Sequence, residues 1–184
     1  MKKILLFLFT LSVLASCSST DEAVQVDEVT GLVSKNIGSI SIGVPANWNT
    51  IASSNLPIPK SGEVVLAIAS SEQRENYLNN LVILKASNSL NESSQSLMKN
   101  SANFLDTKLQ SFRLVEEKDI VFSDEEGGLI ITFEGKYNTQ TPLVTYIQTA
   151  RVCGEDSYFA TISLSEKPES YDKYITILKT LKCS

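Results

Sequence analysis

The feature that most constrains the fold is one long run of helical periodicity placed among segments that alternate like β-strands. Over residues 90–112, apolar side chains such as Leu97 and Leu109 recur at helical spacing, and neither proline nor glycine interrupts the run. Ser93 or Ser94 is suited to cap the first turn. Because the strand-like segments need a partner for their apolar faces, this pattern predicts an amphipathic helix that lies on a sheet.

The segments on both sides of this helix have the patterns of β-strands. Some alternate apolar and polar residues, whereas residues 64–69 form a continuous apolar run typical of a strand buried on both faces. Residues 70–77 are polar and are expected to form a turn. A closing helix is predicted from Pro168 onward, since residues 171–181 place their apolar side chains on one face. The predicted strands are 38–44, 64–69, 80–85, 113–122, 129–137, 143–153 and 157–164. The sequence therefore predicts an α+β fold, with a mainly antiparallel β-sheet packed between α-helices.

The first seventeen residues have the three-part organisation of an export signal. Lys2 and Lys3 precede an apolar run over residues 4–14, and small residues lead to Cys17. A membrane-spanning helix needs about twenty apolar residues, so this run is too short to favour one. The Leu-Ala-Ser-Cys ending resembles a bacterial lipobox, in which the cysteine is lipid-modified and becomes the new N-terminus. A plain signal peptide that happens to have cysteine after the cut is the alternative.

This interpretation divides the chain into three parts. Residues 1–16 are a lipoprotein signal peptide, residues 17–36 a lipidated cysteine with a small, acidic tether, and residues 37–184 one folded domain. A first short strand near Leu32 and Val33 is the alternative for the end of the tether. Two acyl chains such as palmitate on Cys17 would hold firmly, since each buried methylene contributes about 0.8 kcal/mol. The expected location is the cell envelope, on the non-cytoplasmic side of a bacterial membrane, which is the periplasmic face in a Gram-negative cell.

The charge of the chain argues against a nucleic-acid partner. Sixteen basic and twenty-one acidic side chains give a net charge of −5, and loss of Lys2 and Lys3 with the signal leaves −7. So acidic a protein is repelled by phosphate backbones and by anionic lipid. Membrane attachment is therefore assigned to the lipid on Cys17, and the other expected partner is an unidentified envelope protein.

Histidine is missing from the composition, and this restricts the chemistry. The chain has none, which removes the commonest general base and the commonest metal ligand. A Ser-His-Asp or Cys-His arrangement is therefore impossible, and no glycine-rich phosphate loop follows a strand. We predict no catalytic residues, no enzymatic activity and no cofactor.

Two cysteines remain once Cys17 is assigned to the lipid. In an exported protein an even number indicates one disulfide, here between Cys153 and Cys183, with two separate thiols as the alternative. The geometry agrees, because the strand after Cys153 runs away for about 26 Å and the closing helix returns over about 21 Å.

Trp48 is the only tryptophan and follows a proline that ends a predicted strand. We interpret it as a large apolar plug at the mouth of the core. A ligand or partner contact is the alternative.

Five carboxylates lie in two turns that a meander places at the same end of the sheet. Clustered oxygens can hold Ca²⁺, but no ligand spacing such as that of the EF-hand is present. Solvated turns are the favoured interpretation and a metal site is a minor one. The residues are Asp124, Glu125, Glu126, Glu155 and Asp156.

The order of elements resembles the PsbP-like fold. The residues that carry the likeness are Val44-Pro45-Ala46-Asn47-Trp48, Asn80-Leu81-Val82-Ile83, the helix at 97–109 and the closing segment 171–181. This fold is shared by the extrinsic photosystem II protein PsbP, a Ran-binding nuclear import factor and many bacterial lipoproteins. The resemblance covers residues 31–184 and implies an αβα sandwich, with no catalytic residue to carry over.

Two functions are expected, in order of preference. The first is a membrane-tethered, non-enzymatic interaction module or assembly factor of an envelope complex, in line with the binding roles that dominate the similar family. The alternative is a carrier that binds a small apolar ligand between sheet and helix near Trp48. A pocket of about 300 Å³ or more would favour the carrier, and an exposed apolar patch of several hundred Å² would favour the interaction module.

Overall fold

The computed structural model describes residues 30–52, 59, 61–74, 77–165 and 167–184. Within them the chain forms ten strands and two helices. In chain order these are β1 (Leu32–Ile37), β2 (Ile40–Pro45), β3 (Trp48–Thr50), β4 (Glu63–Arg74), β5 (Tyr77–Ser87), α1 (Ser94–Lys108), β6 (Gln110–Val121), β7 (Gly127–Lys136), β8 (Val144–Cys153), β9 (Asp156–Leu164), α2 (Asp172–Lys179) and β10 (Lys182–Cys183).

The strands form two sheets, and every described pair is antiparallel. The large sheet has seven strands in the order β3-β4-β5-β9-β8-β7-β6, and the small sheet has the order β1-β2-β10. The predicted α+β class is confirmed. The predicted meander is confirmed as well, because β6, β7, β8 and β9 are neighbours in sequence order.

Two apolar cores lie on opposite faces of the large sheet. On one face α1 places Met98, which is fully buried, against Ile131 and Phe133 of β7. The other face carries the larger core, where Ile147 and Ile162 pack with residues of the small sheet and α2 such as Leu178. The strand alternation decides which side chain enters which core. The resulting layers are α1, the large sheet, and then the small sheet together with α2.

The start of α1 follows the predicted capping chemistry. Ser93 is the N-cap, and its Oγ accepts a hydrogen bond from the backbone N–H of Ser96 at 3.2 Å. Ser94 has a different role, since its buried Oγ accepts from the N–H of Val152 on β8 at 3.0 Å. The helix is shorter than the predicted 90–112 because Gln110 already pairs with Lys136 of β7. Sheet pairing thus replaces the last predicted helical turn.

The predicted boundary between tether and domain at residue 37 is wrong. β1 lies inside the segment assigned to the tether and pairs along its whole length with β2, from Leu32 with Pro45 to Ile37 with Ile40. Val33 is buried in the larger core. Gly38, with a φ of 59°, closes the hairpin in a conformation that glycine adopts without strain. The fold therefore includes these residues because a partner strand follows them directly.

The turn predicted over residues 70–77 is also wrong in extent. β4 continues to Arg74 and β5 begins at Tyr77, and these two residues pair with each other. Polar side chains do not end a strand when the backbone of a neighbouring strand continues to supply hydrogen bonds. The hairpin therefore extends beyond the apolar core.

Candidate functional site

An open groove of about 590 Å³ lies where the start of β1, the end of β2, β3 and α2 meet. We call it the Trp48 groove. The apolar side chains that line the groove belong to Pro45, Trp48, Tyr174 and Ile177, together with Leu32 at the start of β1. The groove exists because α2 packs beside the small sheet while β3 turns away to join the large sheet.

Trp48 lies at the edge of the larger core and also lines the groove. It begins β3 and pairs with Ser70 of β4, so its backbone belongs to the large sheet. Its partly buried side chain packs against the larger core and also lines the groove. The interpretation as an apolar plug and the alternative of a contact surface are therefore compatible in one side chain.

The polar lining of the Trp48 groove is rich in hydrogen-bond donors. Lys173 is exposed on α2, with its Nζ 4.7 Å from the centre of the Tyr174 ring. The side-chain oxygen of Asn79 accepts from the N–H of Ser165 at 2.9 Å, so the NH₂ group is its remaining donor. Among the described residues that line the groove there is one cation and no carboxylate. In a chain of net charge −5 this composition favours an anionic or acceptor-rich occupant.

The groove bears on the choice between carrier and interaction module. Its volume exceeds the 300 Å³ that would favour a carrier, and it lies between sheet and helix as expected for one. It is open to solvent, and polar residues such as Asn47, Lys173 and Thr176 share its lining. An entirely apolar ligand would leave much of its surface in water there.

The described exposed apolar side chains are distributed over several elements. They are Leu78, Leu90, Phe104, Leu114, Val121, Tyr137 and Leu143. Because they come from β5, α1, β6, the loop before α1 and the loop between β7 and β8, we assign no second docking surface to them.

The acidic turn between β6 and β7 is held by a cation that the sequence analysis did not consider. Arg151 of β8 has a side chain only 6% exposed, and its Nη2 lies 2.7 Å from Oδ2 of Asp124. Its Nη1 lies 3.3 Å from Oε1 of Glu126. The guanidinium also stands over the ring of Phe122 at 5.1 Å. A buried arginine thus occupies the place where a bound cation would be expected.

The charge of Arg151 changes the acidity of the turn. Partial burial by itself would raise the pKa of Asp124, but the hydrogen bond and the charge of Arg151 outweigh it. Backbone hydrogen bonds from Asp124 itself and from Cys183 act in the same direction. The pKa of Asp124 is therefore held below its ordinary value.

The other acidic turn is also engaged by the protein. Oδ2 of Asp156 lies 2.8 Å from Nζ of Lys85, and this hydrogen bond raises the pKa of the lysine. The backbone carbonyl of Glu155 accepts from the N–H of Asn88 at 2.8 Å. In the first acidic turn, between β6 and β7, Glu125 has a left-handed backbone conformation with a φ of 66°. Within the part of the chain that the structure describes, no group of three or more acidic or cysteine side chains is placed to hold a metal ion.

The structure joins Cys153 and Cys183 in a disulfide, with their Cα atoms 5.6 Å apart. Cys153 ends β8, and Cys183 lies in β10, which pairs with β2 of the small sheet. The bond therefore connects the large sheet to the last strand of the small one. The predicted pairing and the return of the closing helix toward β8 are both confirmed.

Cys17 lies outside the described residues, so its lipidation and the signal peptide before it stay predictions. Neither α1 nor α2 has the length and apolar character needed to cross a bilayer.

Sequence reasoning missed Arg151 and Lys173. A signal for Arg151 was present, because residues 147, 149, 151 and 153 share the face of β8 that carries the apolar Ile147. A charge on such a face implies a partner. Lys173 gave no comparable signal, since it belongs to the exposed side of a helix far from Trp48 in sequence.

These features define an α+β domain with a helix and a small sheet on opposite faces of a large antiparallel sheet. No family model and no curated protein matches the chain. Solved structures do share the fold. Cyanobacterial PsbP (CyanoP) from Synechocystis sp. PCC 6803 has a TM-score of 0.55 at 11% identity, with 93% of this chain and 99% of that chain covered.

Two further solved structures show the same architecture. The Ran-binding protein Mog1p from Saccharomyces cerevisiae has a TM-score of 0.52 at 9% identity, covering 82% of this chain and 95% of its own. A Pseudomonas aeruginosa protein of unknown function has a TM-score of 0.52 at 8% identity, covering 81% and 94%. At such identities the likeness shows a common PsbP/Mog1-like fold, which confirms the predicted fold, and carries no activity with it.

Proposed function

We propose that this chain is a membrane-tethered, non-enzymatic interaction module of the bacterial cell envelope, which binds a segment of a partner protein in the Trp48 groove. The observation that carries the proposal is the position of the groove. Thr30 and Gly31 contribute to its lining, so it lies where the segment that follows Cys17 enters the domain.

The length of that segment limits how far the groove can lie from a lipid anchor. Twelve residues, 18–29, lie between Cys17 and Thr30 of the groove. A random coil of twelve residues spans about 19 Å, and a fully extended chain of that length about 42 Å. A partner that reaches the groove therefore belongs to the membrane or lies against it, as a subunit of an envelope complex does.

A binding role is also consistent with the chemistry of the groove. Its described lining contains hydroxyl and amide groups, one lysine and an indole, but no nucleophile paired with a base. Trp48 offers a large, rigid apolar surface next to donors, a combination enriched where proteins bind one another. One of the solved structures with this fold is named for binding Ran.

Site-specific photocrosslinking tests the proposal. A photoreactive amino acid placed at exposed Asn47 or Thr176, on the rim of the groove, is expected to give a discrete protein adduct in the native membrane. The matched control is Phe104 on α1, which is 66% exposed on the other side of the large sheet and is expected to give no such adduct. Adducts from Phe104 alone would contradict the assignment.

The same experiment addresses the carrier, which the volume of the groove favours. Mass spectrometry of the protein purified from its membrane identifies any bound small molecule. An apolar ligand crosslinked at Asn47 or Thr176, without a protein adduct, would replace the interaction module by the carrier.

The anchor is tested separately. We expect Cys17→Ser to leave the chain unprocessed or to release it as soluble protein, because the acylated residue is lost. Detergent partitioning of wild type and variant measures this. A Cys17→Ser protein that is cut normally and still partitions with the detergent phase would contradict the lipid anchor.

A further inference from the structure

We propose that the outer edge of β6 binds an extended segment of another protein as an additional antiparallel strand, and that residues 117–120 select a segment of complementary charge order. This surface is separate from the Trp48 groove, so the inference goes beyond the proposed function and does not rest on it. It depends on two features, the backbone edge of β6 and the charges along it.

β6 is the longest edge strand in the described part of the two sheets. It has twelve residues, whereas the other edge strands β1, β3 and β10 have six, three and two. The N–H of Phe122 donates to the carbonyl of Glu126 at 2.9 Å at the start of the ladder with β7. Because the backbone groups of alternate residues point to opposite sides of a strand, Glu117, Asp119 and Val121 direct theirs away from β7. An added strand can form hydrogen bonds with these groups.

The charges on this edge are not neutralised within the described part of the chain. Glu117, Lys118 and Asp119 are exposed, and no ion pair joins any of them to another described residue. Their cross-strand neighbours on β7 are all apolar, namely Ile131, Ile130 and Leu129. Complementary charges are therefore supplied from the outer side of β6.

The order of these charges disfavours a second copy of this chain as the occupant. Two copies of β6 form backbone hydrogen bonds only where their outward-facing residues align, so a two-fold axis between them passes through one residue and its own copy. At Glu117, Lys118 or Asp119 that contact joins two like charges, which destabilises a cross-strand pair. Charged edges also discourage nonspecific pairing. The occupant is therefore a segment of a different protein.

The complementary segment follows from the charge order on β6. A basic residue fits opposite Glu117 and Asp119, and an acidic residue fits opposite Lys118. Ile120 belongs to the larger core on the α2 side of the sheet, and a β-branched residue suits the position opposite it. Read antiparallel to β6, the segment is β-branched, basic, acidic and basic.

A groove beside the end of β6 has room for the side chains of such a strand. Its volume is about 450 Å³, and it is lined by residues 118–121 and by one stripe of α2. The N–H of Ser123 donates to the carbonyl of Lys179 at 2.8 Å, which fixes the end of α2 beside the end of β6. α2 contributes the charged residues Asp172 and Lys179, one of each sign, to this lining. The charge order on β6 therefore decides the selection.

Peptide binding to the full-length protein, purified in detergent and followed by fluorescence anisotropy, tests the selection. The labelled, end-capped peptide Thr-Val-Lys-Glu-Lys-Thr is expected to bind. Thr-Val-Glu-Lys-Lys-Thr has the same composition and net charge, and it should bind about tenfold more weakly because two cross-strand pairs become repulsive. Lys118→Glu should weaken binding of the first peptide, whereas Lys173→Glu, which makes the same change of charge in the Trp48 groove, should not.

The backbone contribution is tested with N-methylated peptides. The N–H of the first lysine, opposite Asp119, points toward β6, so its methylation should weaken binding at least fivefold. Methylation of the glutamate is the matched control, because its N–H points away. Hydrogen exchange at Asp119 and Val121 should slow when the first peptide binds.

Equal binding of the two charge orders, equal effects of the two methyl groups, or no binding of the first peptide would overturn the proposal. A dimer in sedimentation experiments that Lys118→Glu dissociates would also overturn it, since a second copy would then occupy the edge. Photocrosslinking at the Trp48 groove uses other residues, so either proposal can fail without the other.

Discussion

Replacing both Cys153 and Cys183 by alanine is expected to lower the free energy of unfolding by about 3.6 kcal/mol, the chain-entropy contribution of a cross-link that closes a thirty-residue loop. Removing the bond enlarges the unfolded ensemble, and the same change frees β10 from β8. For a domain of this size the melting temperature should fall by about 7–14 °C. Chemical denaturation of wild type and variant measures the loss directly.

The disulfide should also protect the C-terminal elements locally. β10 contributes only two residues to the small sheet, and Ser184 donates its N–H to the carbonyl of Ser39 at 2.9 Å. α2 has eight residues, too few to be stable without docking. Hydrogen exchange should therefore accelerate first in α2 and β10 when the bond is reduced. Uniform acceleration throughout the large sheet, or unchanged stability after reduction, would contradict this account.

Asp124→Asn is expected to destabilise the protein by about 3 kcal/mol, because it leaves the buried guanidinium of Arg151 without its closer partner. The value lies at the lower end for a broken buried pair, since Glu126 keeps one contact at 3.3 Å. Arg151→Met should cost less, about 1 kcal/mol, because the remaining carboxylates are partly exposed and methionine still packs on Phe122. Equilibrium denaturation of each variant gives the two values.

A double-mutant cycle and a pH series separate this ion pair from simple packing. The double variant Asp124→Asn with Arg151→Met should recover most of the loss caused by Asp124→Asn alone. The pKa of Asp124 is lower in the folded protein than in the unfolded chain, so its contribution is complete above about pH 4 and is lost as the pH falls through the folded value. Wild type should thus lose stability faster than Asp124→Asn on acidification. Additive single losses, or parallel pH curves, would show that Arg151 acts only by packing.

The elements of this fold were largely predictable because their signals are local. Ser93 caps α1, and β7 to β9 follow the alternation of their own residues. The wrong boundaries arose where a neighbouring strand decided the outcome. Residues 32–37 follow an acidic, polar segment in the sequence, but they pair with the strand that comes next. Residues 70–74 stay in the sheet because β4 pairs with β5 as far as Arg74. Composition carries little information about such pairing.

For the acidic turns, too, the sequence predicted the local structure but not the tertiary contacts. The sequence indicated that Asp124 and Asp156 lie in turns, yet it did not indicate what neutralises them. Arg151 and Lys85 do so from β8 and β5, at distances of 2.7 and 2.8 Å. Which cation faces which turn depends on strand order and register, and several sheet orders are compatible with one set of strand patterns.

By itself, therefore, the sequence predicted the class of fold and one disulfide, and it excluded histidine-based chemistry. These follow from periodicity, the parity of the cysteines and composition, which need no knowledge of contacts. Only the tertiary structure decided that Trp48 and Lys173 line one groove at the point where the N-terminal segment enters the domain. They are far apart in the chain, and their proximity results from the packing of α2 beside the small sheet, a long-range arrangement that no local pattern encodes.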